Sequence, residues 1–327
     1  MTRVFVAGAS GAIGKRLVPR LVEGGYEVFA MTRTRAKTDG LRAIGAAPVL
    51  ADGLDRSAVM EAVMRSEPEV VIHEMTGLHG LTSVRNFDKQ FALTNRLRTE
   101  GTDHLLEATR AAGARRFIAQ SFGNWGYEPT RSRATTEEDP LNPNPPANQR
   151  RSFAAVRHLE RAVLEAEGLE GLVLRYGGLY GPGTGLADDG DMTPLVRKRR
   201  LPIIGDGSGV WSFIHVDDAA AATVAAVERG DPGIYNIVDD EPAPASEWLP
   251  ELARALGAPP PRHLPVWLGR LAAGDAAVSM FTRIQGSDNS KAKRELGWTP
   301  RYASWREGFR YGLADMPSEP AVRTTGR

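Results

Sequence analysis

Gly8-Ala9-Ser10-Gly11-Ala12-Ile13-Gly14 carries three glycines at G-x-x-G-x-x-G spacing. That spacing can do one kind of chemistry, the holding of an anion on backbone N–H groups. Glycines permit the tight turn and the close approach, and a pyrophosphate then rests on the start of the following helix. The spacing is not the commoner G-x-G-x-x-G, so the flanks must carry the reading. A second candidate group is Thr32-Arg33-Thr34-Arg35, with Lys37 just beyond. An acid there would accept hydrogen bonds from an adenosine ribose 2′-OH and favour NAD(H). None stands there, and Arg33 can pair with a 2′-phosphate. NADP(H) is therefore expected over NAD(H), with solvated loop cations as the alternative.

The flanks fit a βαβ unit. Thr2-Arg3-Val4-Phe5-Val6-Ala7 is a β-branched and aromatic run that reads as a buried strand. After the glycines, Ile13, Leu17, Leu21 and Val22 recur at helical spacing until Gly24-Gly25 stops the helix. Pro19 lies inside that helix and is expected to favour a kink. Glu27-Val28-Phe29-Ala30-Met31-Thr32 reads as the second strand. Strand and helix signals alternate to about Glu165, and a further strand covers Leu172 to Tyr176. Glu128 to Gln149 lacks apolar periodicity and reads as a long loop, either bordering a ligand site or an inert insertion.

These motifs, in this order, resemble the extended short-chain dehydrogenase/reductases, the NAD-dependent epimerase/dehydratase-like proteins. Val49-Leu50-Ala51-Asp52-Gly53-Leu54-Asp55 is similar to the family's third strand end, whose Asp contacts adenine. Val70-Val71-Ile72-His73-Glu74-Met75-Thr76 is similar to its V-I-H-L-A-A strand, with Glu74 and Met75 departing. Thr94-Asn95, then Gly101-Thr102 and Leu105-Leu106-Glu107-Ala108, resembles the helix whose Asn supports the site. Arg116-Phe117-Ile118-Ala119-Gln120-Ser121 resembles the strand that ends in a catalytic Ser or Thr, and Leu174-Arg175-Tyr176-Gly177-Gly178-Leu179-Tyr180-Gly181-Pro182-Gly183 the segment beside the nicotinamide. Phe213 to Ala220 and Lys291 to Trp298 resemble markers of the substrate lobe.

The resemblance implies an α/β Rossmann fold, a doubly wound parallel sheet with a smaller C-terminal substrate-binding lobe. Residues 1–180 would form the dinucleotide-binding domain, with 212–240 returning to it. Residues 181–211 and 241–315 would form the lobe, and 316–327 a disordered tail. The cofactor would be held by Gly8, Ser10, Gly11, Ala12, Ile13, Gly14, Thr32, Arg33, Asp52, Gly53, Leu54, His73, Asn95, Tyr176 and Leu179, with His73 supporting the pyrophosphate loop. A homodimer through the helices near Asn95 and Arg151 is a further implication.

The family's Tyr-x-x-x-Lys is missing. Its Tyr is a general acid/base, and its Lys, one helical turn on, lowers the Tyr pKa and holds the nicotinamide ribose. If Glu160 is the acid that follows the Lys by four residues, Ser152 stands at the Tyr position and Val156 at the Lys position. A one-residue shift pairs Phe153 with Arg157, which restores a cation but no acid. The remaining catalytic candidates are Ser121, Tyr127, Glu74 and Arg157. Ser121 could bond a substrate oxygen or simply satisfy local backbone at the strand end; Tyr127 could donate from the loop or be an ordinary surface tyrosine; and Glu74, if buried near the cofactor, would have a raised pKa, with a solvent-facing strand-end Glu as the alternative. Arg157 could hold a ribose or phosphate, or be a solvated helix arginine.

Composition bounds the rest. A chain of 327 residues, 42% hydrophobic and 25% charged, can bury a sizeable core, and a net charge of +1 offers no field for nucleic acid. There is no cysteine, and six histidines lack metal-ligand spacing, so neither metal nor thiol chemistry is expected. No apolar run approaches the ~20 residues that span a bilayer. The expected compartment is the cytoplasm. Trp211-Ser212 stands where nucleotide-sugar enzymes of the family place Arg-Asp, which argues for a small, non-nucleotide-sugar substrate; Trp211, Trp267 and Phe281 could line an apolar pocket, with core packing the favoured alternative for any one of them. The function expected is a nicotinamide-dependent oxidoreductase acting on a carbonyl or hydroxyl. The alternatives are a non-redox nucleotide-binding regulator, or a lyase or isomerase that uses the nucleotide transiently or structurally.

Overall fold

The computed structural model describes residues 1–78, 80, 85–124 and 134–315. Tyr127, Trp125 and the tail 316–327 lie outside the described residues. Seven strands form one sheet: β1 Arg3–Ala7, β2 Glu27–Thr32, β3 Ala47–Leu50, β4 Val70–His73, β5 Arg116–Phe122, β6 Glu170–Tyr176 and β7 Gly233–Ile237. Their order is β7-β6-β5-β4-β1-β2-β3, and every neighbour pair is parallel. The winding reverses between β1 and β4, and the crevice outside their carboxyl ends is where such sheets bind ligands.

Helices cover both faces. On one face lie α1 Gly14–Glu23 and, after the helices named next, α5 Val216–Glu228; on the other lie α2 Arg56–Ser66, α3 Thr102–Ala111 and α4 Arg150–Leu164. Side chains alternate across a strand, so Val70 and Ile72 join the α1–α5 layer while Val71 joins the α2–α4 layer. α1 buries Leu17, Val18 and Leu21, runs through Pro19 rather than ending there, and stops at Gly25, whose φ of 80° suits glycine. Asp55 caps α2 by accepting from the Ala58 N–H at 3.0 Å. At the far end of α5, buried Arg116 donates to the carbonyls of Ala226 (2.8 Å), Arg229 (2.7 Å) and Gly230 (3.2 Å), satisfying groups the helix itself cannot.

Between β6 and β7, and again after β7, the chain builds a separate core. There α6 Ala245–Ala255, α7 Val266–Thr282 and α8 Trp305–Tyr311 surround Phe213, Trp248, Phe281 and Trp305. Trp211 stacks on Phe213 with centroids 6.0 Å apart and donates from its indole N–H to the Met280 carbonyl at 2.9 Å. Trp211 and Phe281 are thus packing groups rather than the lining of an open pocket, and Trp267 is 68% exposed. Asn124, just past β5, exchanges two hydrogen bonds with the Ser212 backbone (2.8 and 3.0 Å) and pins the sheet to this lobe. The described end of the long loop is anchored too: Ala134–Thr135 pairs with Gly286–Ser287, and Glu137 accepts from the Asn236 N–H of β7 at 2.7 Å. No helix among the described residues is long and apolar enough to cross a membrane.

Candidate functional site

The glycine loop closes on itself through the Gly11 N–H and the Gly8 carbonyl at 3.0 Å. Gly8 has a φ of +96°, and a Cβ there would lie 2.6 Å from the backbone of Glu74, so only glycine fits. At Gly11 an added Cβ would meet only the Gly8 carbonyl, at 3.3 Å, so its outer side is open. The loop is therefore tight against the sheet and accessible above, as a pyrophosphate requires. Ser10 and Thr32 bring their hydroxyls within 3.2 Å at the end of β2, and Arg33, next in the chain, is exposed. Asp52 accepts from the Leu54 N–H at 3.0 Å and shapes the turn after β3. Gly53 is packed under Met75, whose Sδ an added Cβ would approach to 2.4 Å. These positions, with Ala12, Ile13 and Gly14 at the start of α1, line one side of the crevice at the ends of β1, β2 and β3. Leu179 lies in the short strand Gly178–Tyr180, which pairs with Phe213–His215, and is half-buried against the α1–α5 layer.

Three expected ligand contacts are placed elsewhere. Tyr176 is fully buried; its hydroxyl donates to Glu74 Oε1 at 2.9 Å and lies 2.6 Å from Thr223 Oγ1 of α5, so the ring faces the core rather than a cofactor. His73 points to the opposite face. Its Nε2 meets the Leu97 carbonyl at 3.2 Å, its Nδ1 accepts from the Met75 N–H at 3.2 Å, and burial pushes its pKa down to about 4. It is a neutral strut to the Leu97 turn, not a prop for the glycine loop. Arg157 donates to the Asn142 carbonyl and anchors the long loop instead of a ribose.

Glu74 is buried, and desolvation lifts its pKa to about 8 against the lowering effect of the Tyr176 bond; Oε2 is sealed without a partner. Burial, one part of the condition attached to it, is met; its backbone packs against Gly8 while its carboxyl bonds Tyr176 in the core layer.

The positions left by Tyr-x-x-x-Lys are filled by groups that build structure. Ser152 is buried; its hydroxyl donates to Asp88 Oδ1 at 2.7 Å and accepts from Asn95 Nδ2 at 3.0 Å. Asp88 also accepts from the N–H groups of Arg151 (3.0 Å) and Ser152 (2.9 Å), an anion at the start of α4. Val156, one turn on, is half-buried. Glu160, a turn further, holds Arg175 of β6 in a bidentate pair (2.8 and 2.7 Å) and accepts the Ser121 hydroxyl at 2.7 Å, all three being buried. Ser121 therefore spends its hydrogen on Glu160 and offers an incoming molecule lone pairs only.

The sequence reading did not pick out Asp88, Thr223 or Arg98. Arg98 sits on a π turn, Leu97–Gly101, that packs on α4, and it is 5% exposed. No local signal marks them: Asp88 lies 63 residues before the helix start it serves, beyond the reach of any capping pattern. Among the described residues no group of three or more His, Asp or Glu could hold a metal.

Comparison with known proteins gives the family. Residues 4–238 match the model of the NAD dependent epimerase/dehydratase family. The chain is 46% identical over 308 residues to a 3-diazoavenalumate denitrifying reductase from a Streptomyces species, covering 94% of this chain and 99% of that one. It is 28% identical to a 4-hydroxy-2-methyl-3-oxo-4-farnesyl-3,4-dihydroquinoline-1-oxide ketoreductase of Stigmatella aurantiaca, covering 91% and 92%. A solved structure of the UDP-glucose 4-epimerase of Thermus thermophilus in complex with NAD superposes with a TM-score of 0.72 at 26% identity, covering 95% and 98%. A tight glycine loop at the winding reversal, a seven-stranded parallel sheet and these likenesses give one conclusion: the chain is a nicotinamide-nucleotide enzyme and belongs to the NAD dependent epimerase/dehydratase family.

Proposed function

We propose that this enzyme is an NADP(H)-dependent reductase that replaces the diazo nitrogen of a small organic anion with hydrogen. The observation that carries this reading is the state of α4. Reduction of a carbonyl leaves an oxygen that must be protonated, and the family does this with Tyr and Lys. In the register set by Glu160, Ser152 and Val156 stand at those positions and the Ser152 hydroxyl is committed to Asp88; in the shifted register Phe153 and Arg157 do, and Arg157 is committed to the Asn142 carbonyl. Loss of dinitrogen from a diazonium carbon needs no such acid, because the leaving group departs as a neutral gas. When bound, a reduced nicotinamide supplies the hydride, and the balance R–N₂⁺ plus hydride gives R–H plus N₂ with no proton left over. The 46% identity to a denitrifying reductase of a diazo acid supports the same reaction class.

In this reading the chain's own groups position and shield rather than transfer protons. The Ser121–Glu160–Arg175 cluster fixes the ends of β5 and β6 at the floor of the crevice. Asp88 and Asn95 fix the start of α4 beside it. Incubation with NADPH and an aryl diazonium carboxylate tests the reading. Loss of nicotinamide absorbance should match N₂ release one for one, and deuterium at nicotinamide C4 should appear on the product carbon. Turnover of ketones with no release of N₂ would overturn it. That result would favour the second reading, oxidoreduction at a carbonyl or hydroxyl of a small non-nucleotide-sugar metabolite, to which the ketoreductase likeness gives support.

The preference for NADP(H) over NAD(H) rests on Arg33, exposed just past Thr32 with no ion pair among the described residues. Arg33→Glu should lower the NADPH-to-NADH affinity ratio by roughly 10-fold or more, the scale of a charge-assisted contact to phosphate. An unchanged ratio in binding calorimetry would remove Arg33 from the cradle.

A further inference from the structure

Arg98 has no hydrogen-bond or ion-pair partner among the described residues, although it is 5% exposed. A guanidinium so largely buried without a partner is expensive, since it gives up most of its hydration and no protein group replaces it; its nitrogens are not among the sealed atoms of the fold and so still face open space. Its surroundings sharpen the problem. Glu160 is the carboxylate within electrostatic reach of it, and Glu160 is already held by both guanidinium nitrogens of Arg175 that face it. His73, also within reach, is neutral. Two buried cations thus share one buried anion. The fold pays for an excess positive charge, and a π turn, a helix irregularity often found at functional sites, carries it.

Its location says what the charge is for. Ser10, Thr32 and Arg33 set the adenosine end of the cradle towards β2. The other half of a dinucleotide held on the glycine loop must then run the opposite way from the winding reversal, over the ends of β4 and β5. Arg98 lies by those ends: the carbonyl of Leu97, its neighbour on the π turn, meets His73 Nε2 at the end of β4 at 3.2 Å, and the turn packs on α4, whose Glu160 holds Ser121 of β5. It also lies against α4, the helix on which Val156 stands one turn before Glu160.

We propose that Arg98 holds the nicotinamide-ribose half of the dinucleotide, its guanidinium donating to ribose oxygens from the π turn and replacing the cation that Val156 does not provide. The inference rests on dinucleotide binding and not on the identity of the substrate. It separates two jobs that one Lys does elsewhere in the family. The ribose keeps a cation, while the proton-transfer partner is given up.

The test is binding, not turnover. Arg98→Met keeps the length and removes the charge, and Arg98→Lys keeps the charge with fewer donors. Calorimetry would compare NADPH and NADH with adenosine 2′,5′-bisphosphate, which lacks the nicotinamide half. Arg98→Met is expected to weaken both dinucleotides by about 10- to 100-fold, the value of hydrogen bonds to a charged group, and to leave the bisphosphate within about twofold. Arg98→Lys should lose less of the dinucleotide affinity. The ligand-free Arg98→Met protein should melt no lower than the wild type, because an unpaired buried charge has been removed. Equal losses for all three ligands, no loss for the dinucleotides, or a variant that melts lower or fails to fold would each overturn the proposal.

Discussion

Two neighbouring residues at the end of β4 titrate in opposite senses. Glu74 keeps its proton in the folded protein to about pH 8, whereas the unfolded carboxyl releases it near 4.5, so between these values the folded state binds more protons and stability falls as pH rises. His73 stays neutral in the fold down to about pH 4, whereas the unfolded imidazole is protonated below 6.5, so between those values stability rises with pH. The two slopes offset each other from about pH 4.5 to 6.5, and only the Glu74 slope remains above. From pH 6.5 to 8 the wild type should lose about 2 kcal/mol on this account, at ~1.4 kcal/mol per proton per pH unit. Glu74→Gln keeps an acceptor for the Tyr176 hydroxyl and should abolish that loss. Urea denaturation at a series of pH values checks it; parallel profiles for the two proteins would show that Glu74 does not hold its proton in the fold. The same pair shows where sequence reading stops. The resemblance located both residues on the strand end, but one residue of register decides which face each side chain enters. His73 went to the α2–α4 layer and Glu74 to the α1–α5 layer, and on β6 the same parity sent Tyr176 to the core and Arg175 to Glu160.

The elements were legible because their signals are local. The β-branched run of β1, the glycines and the 3.6-residue spacing of α1 need no tertiary information, and the structure has them as β1 Arg3–Ala7 and α1 Gly14–Glu23. The start of α4 was not legible in the same way, because its anion comes from another segment. Asp88 stands 63 residues before Arg151 and 64 before Ser152 in sequence, yet it receives both their N–H groups and the Ser152 hydroxyl. Asp88→Ala should therefore cost about 1–2 kcal/mol, as loss of a helix cap does, and leave the Ser152 hydroxyl short of an acceptor. Asp88→Asn, which keeps one acceptor oxygen, should recover part of that. Thermal melting of the two variants decides; an Asp88→Ala protein as stable as the wild type would show that α4 does not depend on this contact.

At the scale of the whole molecule, the crevice is bounded by two cores that meet at named points: Asn124 with Ser212, Thr135 with Gly286, and Asp218 with the Arg301 (2.7 Å) and Tyr302 (3.1 Å) N–H groups. The outer surface of α3 and its neighbours carries the pairs Arg96–Glu100, Arg56–Glu107 and Asp103–His158. A second copy docking on the helices near Asn95 and Arg151 would have to cover these charges, so any such contact would be polar and weakened by salt. Arg98 was invisible in sequence for the same reason that the lobes' junctions were, since burial of a charge is a property of the assembled chain and not of its neighbours along it.

The position of β7 has a consequence for synthesis. The strand that finishes the nucleotide-binding sheet leaves the ribosome only at Gly233–Ile237, after Val196, Ile203 and Ile204 of the other core have already emerged. Their partner Trp305 follows roughly seventy residues later, a delay of several seconds at ordinary elongation rates. During that interval the nascent chain displays β6 as an open edge until β7 arrives, and then an apolar half-core without its lid. A chain of this topology cannot fold one half and then the other in the order in which it is made, and its dependence on chaperones during translation should exceed what the stability of the finished protein would indicate.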